Sequence, residues 1–547
     1  MEKRALLAFI LSFLVLFIWT LLFAPKQPQE KKATFPKKEP QKSRVESKNS
    51  KAKTKKRKEK DSLPERKIAV TERLITVETP LYRAVFSNIG PTIKSFTLKR
   101  YRVSKDPRSP CIELIELKDM GFLEFNIGGL RIPLSVYEPL SGNLEVSEKD
   151  PFKDLIFKGK MDNGIKGIYR FRFYPNRYTM DLSITYENYS SGNLKGPFEI
   201  VLRNRLPKKE RFSSFRGFAL FLDSDLKEIK EKELKKGKSL AGNIGWFAFE
   251  RKFFMSAILP GNPKNAIFEG KLLKGGVLEG RFIDQSISTI PQGKRLTYDI
   301  TIFMGPKDMG ILKTLGRDLD KAINFGWTDI IAKPLLVLLK LLNRGFHNYG
   351  LSIIIMTILI KILFWPLTHK SYKSMKELQK IQPLMARIRE KYKDNKEQLN
   401  RELMNLYKTY KVNPMSGCLP MIVQIPVFFA LYKILAYSIE LRHAPFILWI
   451  DDLSAPDRLF NFPFKIPLMA PPYGIPVLTL LMGASMYIQQ KMTPTAGDPS
   501  QMKIMQFLPI IFTVMFINFP SGLVLYWLVN NVLSIIQQYF INKKITA

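Results

Sequence analysis

The chain has 547 residues, of which 46% are hydrophobic and 12% aromatic, and its formal net charge at pH 7 is +38. With a mean hydropathy of −0.08, this composition indicates a soluble part joined to an apolar one, so we expect several domains. Two cysteines, Cys111 and Cys418, are too few for a disulfide framework. No zinc-ligand cluster, RNP-like motif or recognition helix accompanies the basic excess, which favours anionic lipid or ribosomal RNA over DNA as a partner.

The first predicted element is a membrane anchor in residues 1–25. Residues 5–24 are almost wholly apolar and match the ~20 residues that a helix needs to span a bilayer. A cleaved signal peptide would have a shorter apolar run of about 7 to 15 residues and a small-residue cleavage site. Because Pro25 also disfavours cleavage, we expect an uncleaved anchor.

Residues 26–67 predict a disordered basic tether. They are rich in Lys, Pro, Glu and Ser and have almost no aromatics, so they cannot bury enough apolar surface to offset chain entropy. The basic run at 51–60 fits a solvated or lipid-facing linker better than a nucleic-acid patch.

Residues 68–305 predict an antiparallel β-sandwich. Short runs such as 73–78, 169–174 and 178–186 alternate apolar and polar residues, and Asn-Gly, Gly-Gly and Ser-Gly turns separate such runs. The segment has no histidine, and its acidic residues are scattered among Lys and Arg. Nothing in it resembles an enzyme active site.

A helical linker is predicted over residues 306–348. Near its end, bulky apolar residues surround Lys333, Lys340 and Arg344. The apolar part is too short to span a bilayer, so an interfacial helix is favoured over a core helix.

Five further apolar runs predict a helical core over residues 349–540, which gives six transmembrane helices in all. The connection after the first run is dense in Lys and Arg, and the positive-inside rule places it in the cytoplasm. Counting back puts the β-domain outside and the N-terminus inside, with a short cytoplasmic tail at 541–547. Local charge around the anchor favours the reverse orientation, but long segments translocate largely regardless of charge. The five runs are 349–367, 418–437, 472–489, 504–519 and 523–540.

The basic connection at 371–412 predicts a cytoplasmic helical hairpin. Its second arm has one apolar stripe at helical spacing, and a similar stripe in the first arm is interrupted by Pro383. The two arms could form an ordinary antiparallel pair or a docking surface, and the pattern alone leaves both open. The stripe residues are Met375, Leu378, Met385, Leu399, Leu403, Leu406 and Tyr410.

Lys361 is the most informative residue of the apolar core. A charge at the centre of a membrane helix costs about 2.5 to 3.5 kcal/mol on insertion scales, so it persists mainly where a cavity or water solvates it. The alternative is that Lys361 snorkels to the cytoplasmic interface. Thr357 lies one turn before it, and Gln424 sits between two prolines in another span.

The last span carries polar residues along one face at near four-residue spacing, namely Tyr526, Asn530, Ser534 and Gln537. Such side chains either bond neighbouring helices together or line a wet cavity. Because three separate helices supply them beside a lysine, a hydrated groove is favoured.

The predicted spans contain no Asp or Glu, and the histidines fall at or outside their ends. An intramembrane protease needs an aspartate pair, a Ser/His dyad or a metal site, and an ion-coupled transporter usually needs an acidic residue at midplane. We therefore expect no enzyme activity, no cofactor, no metal and no small-molecule substrate.

Four stretches resemble the YidC/Oxa/Alb family of membrane protein insertases. They cover the region after the β-domain, while the anchor, tether and β-domain resemble the Gram-negative form, whose periplasmic part is a β-supersandwich. The stretches are GLSIIIMTILIKILFWPLT (350–368), KVNPMSGCLPMIVQIPVFFALY (411–432), ELRHAPFILWIDDLSAPD (440–457) and QMKIMQFLPIIFTVMFINFPSGLVLYWLVNN (501–531).

The resemblance implies a groove in the inner leaflet whose basic residue attracts the hydrophilic part of an incoming membrane protein. Lys361 occupies that position, where the family typically has Arg, and lysine lacks the bidentate fork of arginine. Thr357 and Trp527 fall on functional positions of the family and Phe428 on a substrate-contact position. The hairpin matches the one that the family needs for insertion.

The partners implied by the resemblance are nascent membrane proteins, the Sec translocon, and the ribosome with the signal recognition particle pathway, besides anionic lipids. Two alternatives stay open at this point. A channel or lipid transporter would also have inward-facing polar residues, and an assembly chaperone would work through its β-domain.

Overall fold

The computed structural model of the chain describes residues 72–546 except 118–119, 128–129, 132–135, 161–163, 208–214, 414–418 and 493–498. The predicted anchor and tether and Cys418 lie outside these residues. Within the described residues, backbone contacts separate Ile388–Asn405 as a unit from Glu72–Arg387 with Leu406–Ala547.

The β-domain runs from β1 to β22, and a small hairpin, β23–β24, follows much later in the chain. The strands are β1 (Leu74–Glu78), β2 (Tyr82–Ser87), β3 (Thr92–Arg102), β4 (Cys111–Glu113), β5 (Leu123–Ile127), β6 (Leu130–Arg131), β7 (Glu138–Pro139), β8 (Leu144–Glu145), β9 (Lys153–Lys160), β10 (Ile165–Phe173), β11 (Thr179–Asn188), β12 (Leu194–Lys195), β13 (Phe198–Arg205), β14 (Gly217–Leu222), β15 (Asp225–Lys230), β16 (Lys238–Gly242), β17 (Ile244–Glu250), β18 (Phe254–Pro260), β19 (Ala266–Leu272), β20 (Val277–Asp284), β21 (Thr289–Ile290), β22 (Arg295–Pro306), β23 (Leu459–Phe462) and β24 (Tyr473–Ile475).

Three sheets make up most of the domain. The largest has nine strands in the order β15-β14-β17-β18-β22-β11-β10-β9-β7, the second has six in the order β16-β19-β20-β13-β5-β6, and the third has five in the order β4-β3-β2-β1-β8. Pairing is antiparallel except between β1 and β8, where Val77 faces Leu144 in a parallel register. The predicted antiparallel sandwich is thus confirmed in its main lines, with one parallel edge pair.

Aromatic side chains join the nine-stranded sheet to the six-stranded one. The rings of Phe247 and Phe282 stack with centroids 5.4 Å apart, and those of Phe198 and Tyr298 lie 4.2 Å apart. Each pair takes one ring from each sheet and is fully or almost fully buried. Because alternate residues of a strand point to one face, the period-two pattern of the sequence becomes this apolar interior.

The helices are α1 (Glu231–Leu234), α2 (Met309–Leu315), α3 (Asp329–Phe346), α4 (Tyr349–Leu363), α5 (Trp365–Lys380), α6 (Gln382–Lys391), α7 (Lys396–Thr409), α8 (Leu419–Tyr437), α9 (Val477–Met492), α10 (Pro499–Phe516) and α11 (Ser521–Thr546).

A three-residue ion cluster ties the β-domain end of the chain to the helical region. Lys340 of α3 reaches Asp308, which caps α2, at 3.0 Å and Glu440, which follows α8, at 2.9 Å. Burial raises the pKa of Glu440 despite the opposing effect of Lys340. The cluster therefore holds α3 against the end of α8, and the Glu440 carboxylate is almost fully buried there.

The predicted span at 349–367 ends earlier than expected. Helix α4 ends at Leu363, and α5 continues from Trp365 at an angle of 63°. Pro366 explains the break, because it lacks an N–H and its ring would clash with the carbonyl of Ile362 in a continuous helix.

The predicted hairpin stripe is only partly present. Leu378 and Met385 are buried, and the Tyr407 hydroxyl contacts the Met385 sulfur at 3.9 Å. Tyr410 directly follows the end of α7 at Thr409, its N–H still donates to the carbonyl of Leu406 at 3.0 Å, and it is 51% exposed. Its place in the stripe stays a prediction. The other stripe residues, Met375, Leu399, Leu403 and Leu406, are half-buried.

By length and composition, one helix in the described residues is suited to cross a membrane, at Ser521–Ile541. A second is added if the bent pair α4 and α5 counts as one span, and shorter apolar helices lie at Ile422–Tyr437 and Gln506–Phe516. The number of six spans stays a prediction.

The six-stranded sheet contains a buried ion triad that generates a stability prediction. Arg203 lies 2.5 Å from Glu124 and 2.6 Å from Glu279, and its side chain is 12% exposed. Replacing Arg203 with leucine removes the cation shared by Glu279, which is buried, and Glu124, which is half-buried, so we expect a loss of about 3 kcal/mol in the free energy of unfolding. Denaturant unfolding of the full chain, followed by β-sheet circular dichroism, measures it. Arg83→Leu is the control, because its pair with Glu78 is exposed and is worth at most about 1 kcal/mol.

The same triad predicts a pH dependence. Burial would raise the pKa of Glu279, but Arg203 outweighs it, so the pKa lies below its ordinary value. A lowered folded-state pKa stabilises the fold above the unfolded value, near ~4.3, and this contribution is lost as the pH falls through the folded value. The stability difference between wild type and Glu279→Gln should therefore shrink on acidification. A constant difference would contradict the assignment.

Candidate functional site

Lys361 lies in the last turn of α4 and points between helices. Its side chain is buried, with the residue 9% exposed, and its Nζ donates a hydrogen bond to the Ser534 Oγ of α11 at 2.6 Å. Ser534 in turn donates to the carbonyl of Asn530 at 2.7 Å. The serine hydroxyl thus uses its one proton on the backbone and offers a lone pair to the lysine.

Gln424 of α8 forms the second polar contact with α11. Its Nε2 donates to the Tyr526 hydroxyl at 3.3 Å and to the Asn530 Oδ1 at 3.1 Å. Tyr526 is buried, whereas Asn530 is half-buried. Helix α11 therefore carries partners for both α4 and α8 on one side, as its polar spacing predicts.

A small cavity lies where these helices meet. The space open to water centres is about 10 Å³, enough for roughly one water molecule. Lys361 is the only charged side chain among the residues that line it. The lining residues are Ile360, Lys361, Phe364, Leu367, Thr368, Pro420, Gln424 and Asn530. This is much smaller than the hydrated groove that the sequence favours, since Phe364 and Leu367, near the α4–α5 bend, fill the space beside the lysine.

Five of the eight predicted groove residues do not line the cavity: Tyr526 and Ser534, whose contacts are given above, and Thr357, Phe428 and Trp527. Thr357 is buried and its hydroxyl donates to the carbonyl of Ile353 at 2.6 Å, within its own helix. Phe428 and Trp527 meet edge to face at 4.9 Å, and the Trp527 ring also lies 5.2 Å from that of Phe516. These two residues belong to an aromatic cluster among α8, α10 and α11.

Sequence reasoning missed a set of polar contacts made by α5. Thr368 lines the cavity, and Gln537 donates to its hydroxyl at 2.9 Å. Tyr372, one turn further along α5, lies beside Ser534 and Gln489. Gln537 belongs to the predicted polar face of α11, whereas Thr368 and Tyr372, one turn apart on α5, were not predicted to meet it, because residue spacing does not show which helix faces are in contact.

Metal chemistry finds no support in the described residues, where no group of three or more His, Cys, Asp or Glu side chains is placed to hold an ion. The site offers an amine, two amides and several hydroxyls. Such a set can bind and orient a polar chain by hydrogen bonds, and its single charge selects for negative groups.

The Lys361 contact predicts a stability effect. Removing the hydroxyl in Ser534→Ala leaves a buried amine without this partner, which should lower the free energy of unfolding by about 1.5 to 3 kcal/mol. Thermal unfolding of the purified chain in detergent measures it. Thr479→Val is the matched control, because the Thr479 hydroxyl of α9 is buried and has no hydrogen-bond partner among the described residues. Equal melting temperatures for the two variants would contradict the proposed contact.

The chain matches two family descriptions that together cover most of its length. Residues 74–338 match the YidC periplasmic domain, and residues 341–547 match the 60Kd inner membrane protein. Two curated relatives, each named membrane protein insertase YidC, come from Pelobacter propionicus and Geobacter sulfurreducens. The first is 42% identical over 99% of both chains, and the second is 43% identical over 100% of this chain and 99% of its own.

A solved structure described as an active YidC insertase with its first transmembrane domain resolved covers 86% of this chain and 93% of its own. It is 19% identical, with a TM-score of 0.37. The family assignment therefore rests on the sequence matches.

These matches confirm the resemblance found in the sequence. They also confirm the coarse architecture, a periplasmic β-domain followed by a helical inner-membrane region. The relatives are insertases and not enzymes, as expected for this chain. The chain belongs to the YidC family of membrane protein insertases.

Proposed function

We propose that this chain inserts nascent membrane proteins into the inner membrane and that the cavity beside Lys361 receives their hydrophilic segments. The observation that carries the proposal is the Lys361–Ser534 hydrogen bond, which holds an amine in a buried, cavity-lining position. An amine in this place has no evident role in packing, because an apolar residue of similar size would fill the space without a desolvation cost.

The physical advantage is a shorter apolar path. A polar segment that crosses the bilayer loses its water, and each unsatisfied backbone group costs several kcal/mol in hydrocarbon. The hydroxyls, amides and amine of the cavity lie part of the way across the bilayer, where they can form hydrogen bonds that the segment would otherwise make with water. The apolar helix of the substrate then supplies the driving force when it enters lipid. No cofactor or nucleotide enters this scheme.

The cavity must enlarge before a peptide can enter, because it holds only about one water. Helix α5 is the wall best suited to move. It is already separated from α4 by the bend, and the Thr368–Gln537 contact with α11 is a hydrogen bond between neutral groups, worth about 1 kcal/mol. Since α5 leads into the hairpin, substrate contact with the hairpin would displace this wall.

The same proposal includes the arrangement of the whole chain. Residues 1–25 anchor it, 26–67 tether it, and the domain at 68–305 is periplasmic. The linker at 306–348 lies at the interface, the core at 349–540 spans the membrane, and the tail at 541–547 is cytoplasmic. Its partners are nascent membrane proteins, the Sec translocon, the ribosome with the signal recognition particle pathway, and anionic lipids.

Substitution of Lys361 tests the role of the charge. We expect Lys361→Ala to impair insertion of substrates whose translocated segments are acidic, because the attraction at the cavity is lost. Lys361→Arg keeps the charge and should preserve insertion. A reconstituted insertion assay with purified protein in liposomes measures both, and ion flux in empty liposomes shows whether the chain acts as a channel instead. An alanine variant that inserts acidic substrates as well as wild type ends the proposal.

Locking α5 to α11 tests the movable wall. In a chain with Cys111 and Cys418 replaced by serine, Thr368→Cys with Gln537→Cys places two thiols where the native side chains already touch. Oxidation should block insertion and reduction should restore it, because the cavity cannot widen while the bond is closed. Insertion is measured before and after reduction in the same sample.

A second cysteine pair is the control for this lock. Ser485→Cys with Asn531→Cys joins α9 to α11 at a contact of 3.0 Å that the opening leaves unchanged. Oxidation of this pair should leave insertion near its reduced level. If both pairs block insertion, or neither does, α5 is not the wall that moves.

A further inference from the structure

The hairpin formed by β23 and β24 is apolar and exposed. Between Leu459 and Ile475, only Asn461 and Lys465 are polar, and there is no acidic residue. Phe460 is 68% exposed, Phe464 60% and Leu468 71%. Water is an unfavourable surrounding for such a loop, so its composition calls for an apolar partner.

Two bulky residues of the hairpin have strained backbone conformations. Phe460 has φ +56° and Leu468 has φ +65°, in the left-handed region that glycine or asparagine normally occupies. Strain of this kind persists when the surrounding structure determines it, and it is concentrated at sites of function. The two most exposed apolar side chains of the hairpin are thus at its two positive-φ positions.

A rigid base holds the hairpin in place. The Arg458 guanidinium donates to the carbonyl of Pro472 and to that of Ile517 at the end of α10, both at 2.8 Å. Asn518 donates to the carbonyl of Leu468 at 2.7 Å. These hydrogen bonds therefore fix the hairpin to the ends of the neighbouring helices, so the positions of its apolar side chains are well defined.

The hairpin lies at the far end of the helical region from Lys361. Its base contacts Ile517 and Asn518, just before α11 begins at Ser521, whereas Lys361 bonds Ser534 further along α11. Thirteen residues at 1.5 Å each separate these levels by about 20 Å, against about 30 Å for the hydrocarbon core. If Lys361 is in the inner leaflet, the hairpin is close to the outer headgroup boundary.

The lipid-facing surface continues directly into the hairpin. Helix α9 begins two residues after Ile475, and its Leu480 and Leu481 are about half exposed. Aromatic residues and lysine are the usual anchors at a membrane–water boundary, where the ring sits at headgroup level and the amine reaches the phosphates.

We propose that the hairpin from Leu459 to Ile475 is a membrane anchor that inserts Phe460, Phe464 and Leu468 into the outer leaflet, with Lys465 at the lipid phosphates. The apolar faces of the neighbouring helices and the lack of any acidic residue favour lipid over a protein partner. This inference requires a membrane protein with the proposed orientation and is independent of the insertion mechanism.

Spin labels in reconstituted full-length protein test the anchor. With Cys111 and Cys418 replaced by serine, a label at F464C or F460C should collide with dissolved oxygen far more than with a water-soluble nickel complex. I510C on the exposed face of α10 provides the lipid reference, and S224C on an exposed turn of the β-domain provides the water reference. We expect both hairpin labels to match I510C. Labels that match S224C at both positions overturn the anchor.

Charge reversal tests the role of Lys465. Adding K465E to F464C should shift the label toward water in anionic vesicles and less so in zwitterionic ones. A label shielded from both reagents in native membranes, yet exposed to water in vesicles, would show that a protein covers the hairpin and would overturn the lipid assignment. The depth of the F464C label in a Lys361→Ala chain separates the two proposals, because loss of Lys361 function should leave the label depth unchanged.

Discussion

An amine among apolar helices needs a hydrogen-bond partner, and this requirement organises the helical region. Lys361 finds that partner in Ser534. Ser534 can accept the bond because its own proton goes to the carbonyl of Asn530, one turn earlier. The polar face of α11 is thus one connected network, in which Asn530 also serves Gln424. Changing any member leaves a buried donor or acceptor unpaired, which costs more than the bond itself contributes.

The break between α4 and α5 gives the amine its cavity. If the helix continued straight through Pro366, Leu367 and Thr368 would lie further along the axis of α4, away from the Lys361 side chain. The bend of 63° instead brings them over the lysine, where they line the cavity with Phe364. One proline therefore determines both the position of the wall and its separation from the helix that holds the charge.

The sequence predicts the secondary structure and the residues that share a helix face better than it predicts the contacts between helices. Alternation in β1, β10 and β11 indicates the β-domain, because a strand with one buried face has an unmistakable period. The polar spacing of Tyr526, Asn530 and Ser534 likewise indicates one face of a helix. Such patterns report which residues share a face but not how closely two faces meet. Hence the size of the cavity and the Thr368–Gln537 contact could not be predicted, although each residue was visible.

Family resemblance had a similar limit. It drew attention to Thr357, Phe428 and Trp527 alongside Lys361, yet only the lysine lines the cavity in this conformation. Phe428 and Trp527 instead pack against each other in an aromatic cluster. A matching position in the sequence therefore does not show which side chains line the cavity.

The two ends of the helical region are held by different kinds of interaction. At the end near the β-domain, Lys340 bonds two carboxylates, and Arg458 bonds several backbone carbonyls. Charged donors form the stronger class of hydrogen bond, and several from one residue must break together. At the other end, α5 is held to α11 by bonds between neutral groups, such as Thr368–Gln537. Neutral bonds are worth less than charge-assisted ones and break singly, so the contacts that hold the two ends differ in strength. Under the proposed mechanism, a polar chain would enter from the side with the weaker contacts, while the side held by charged donors would stay closed.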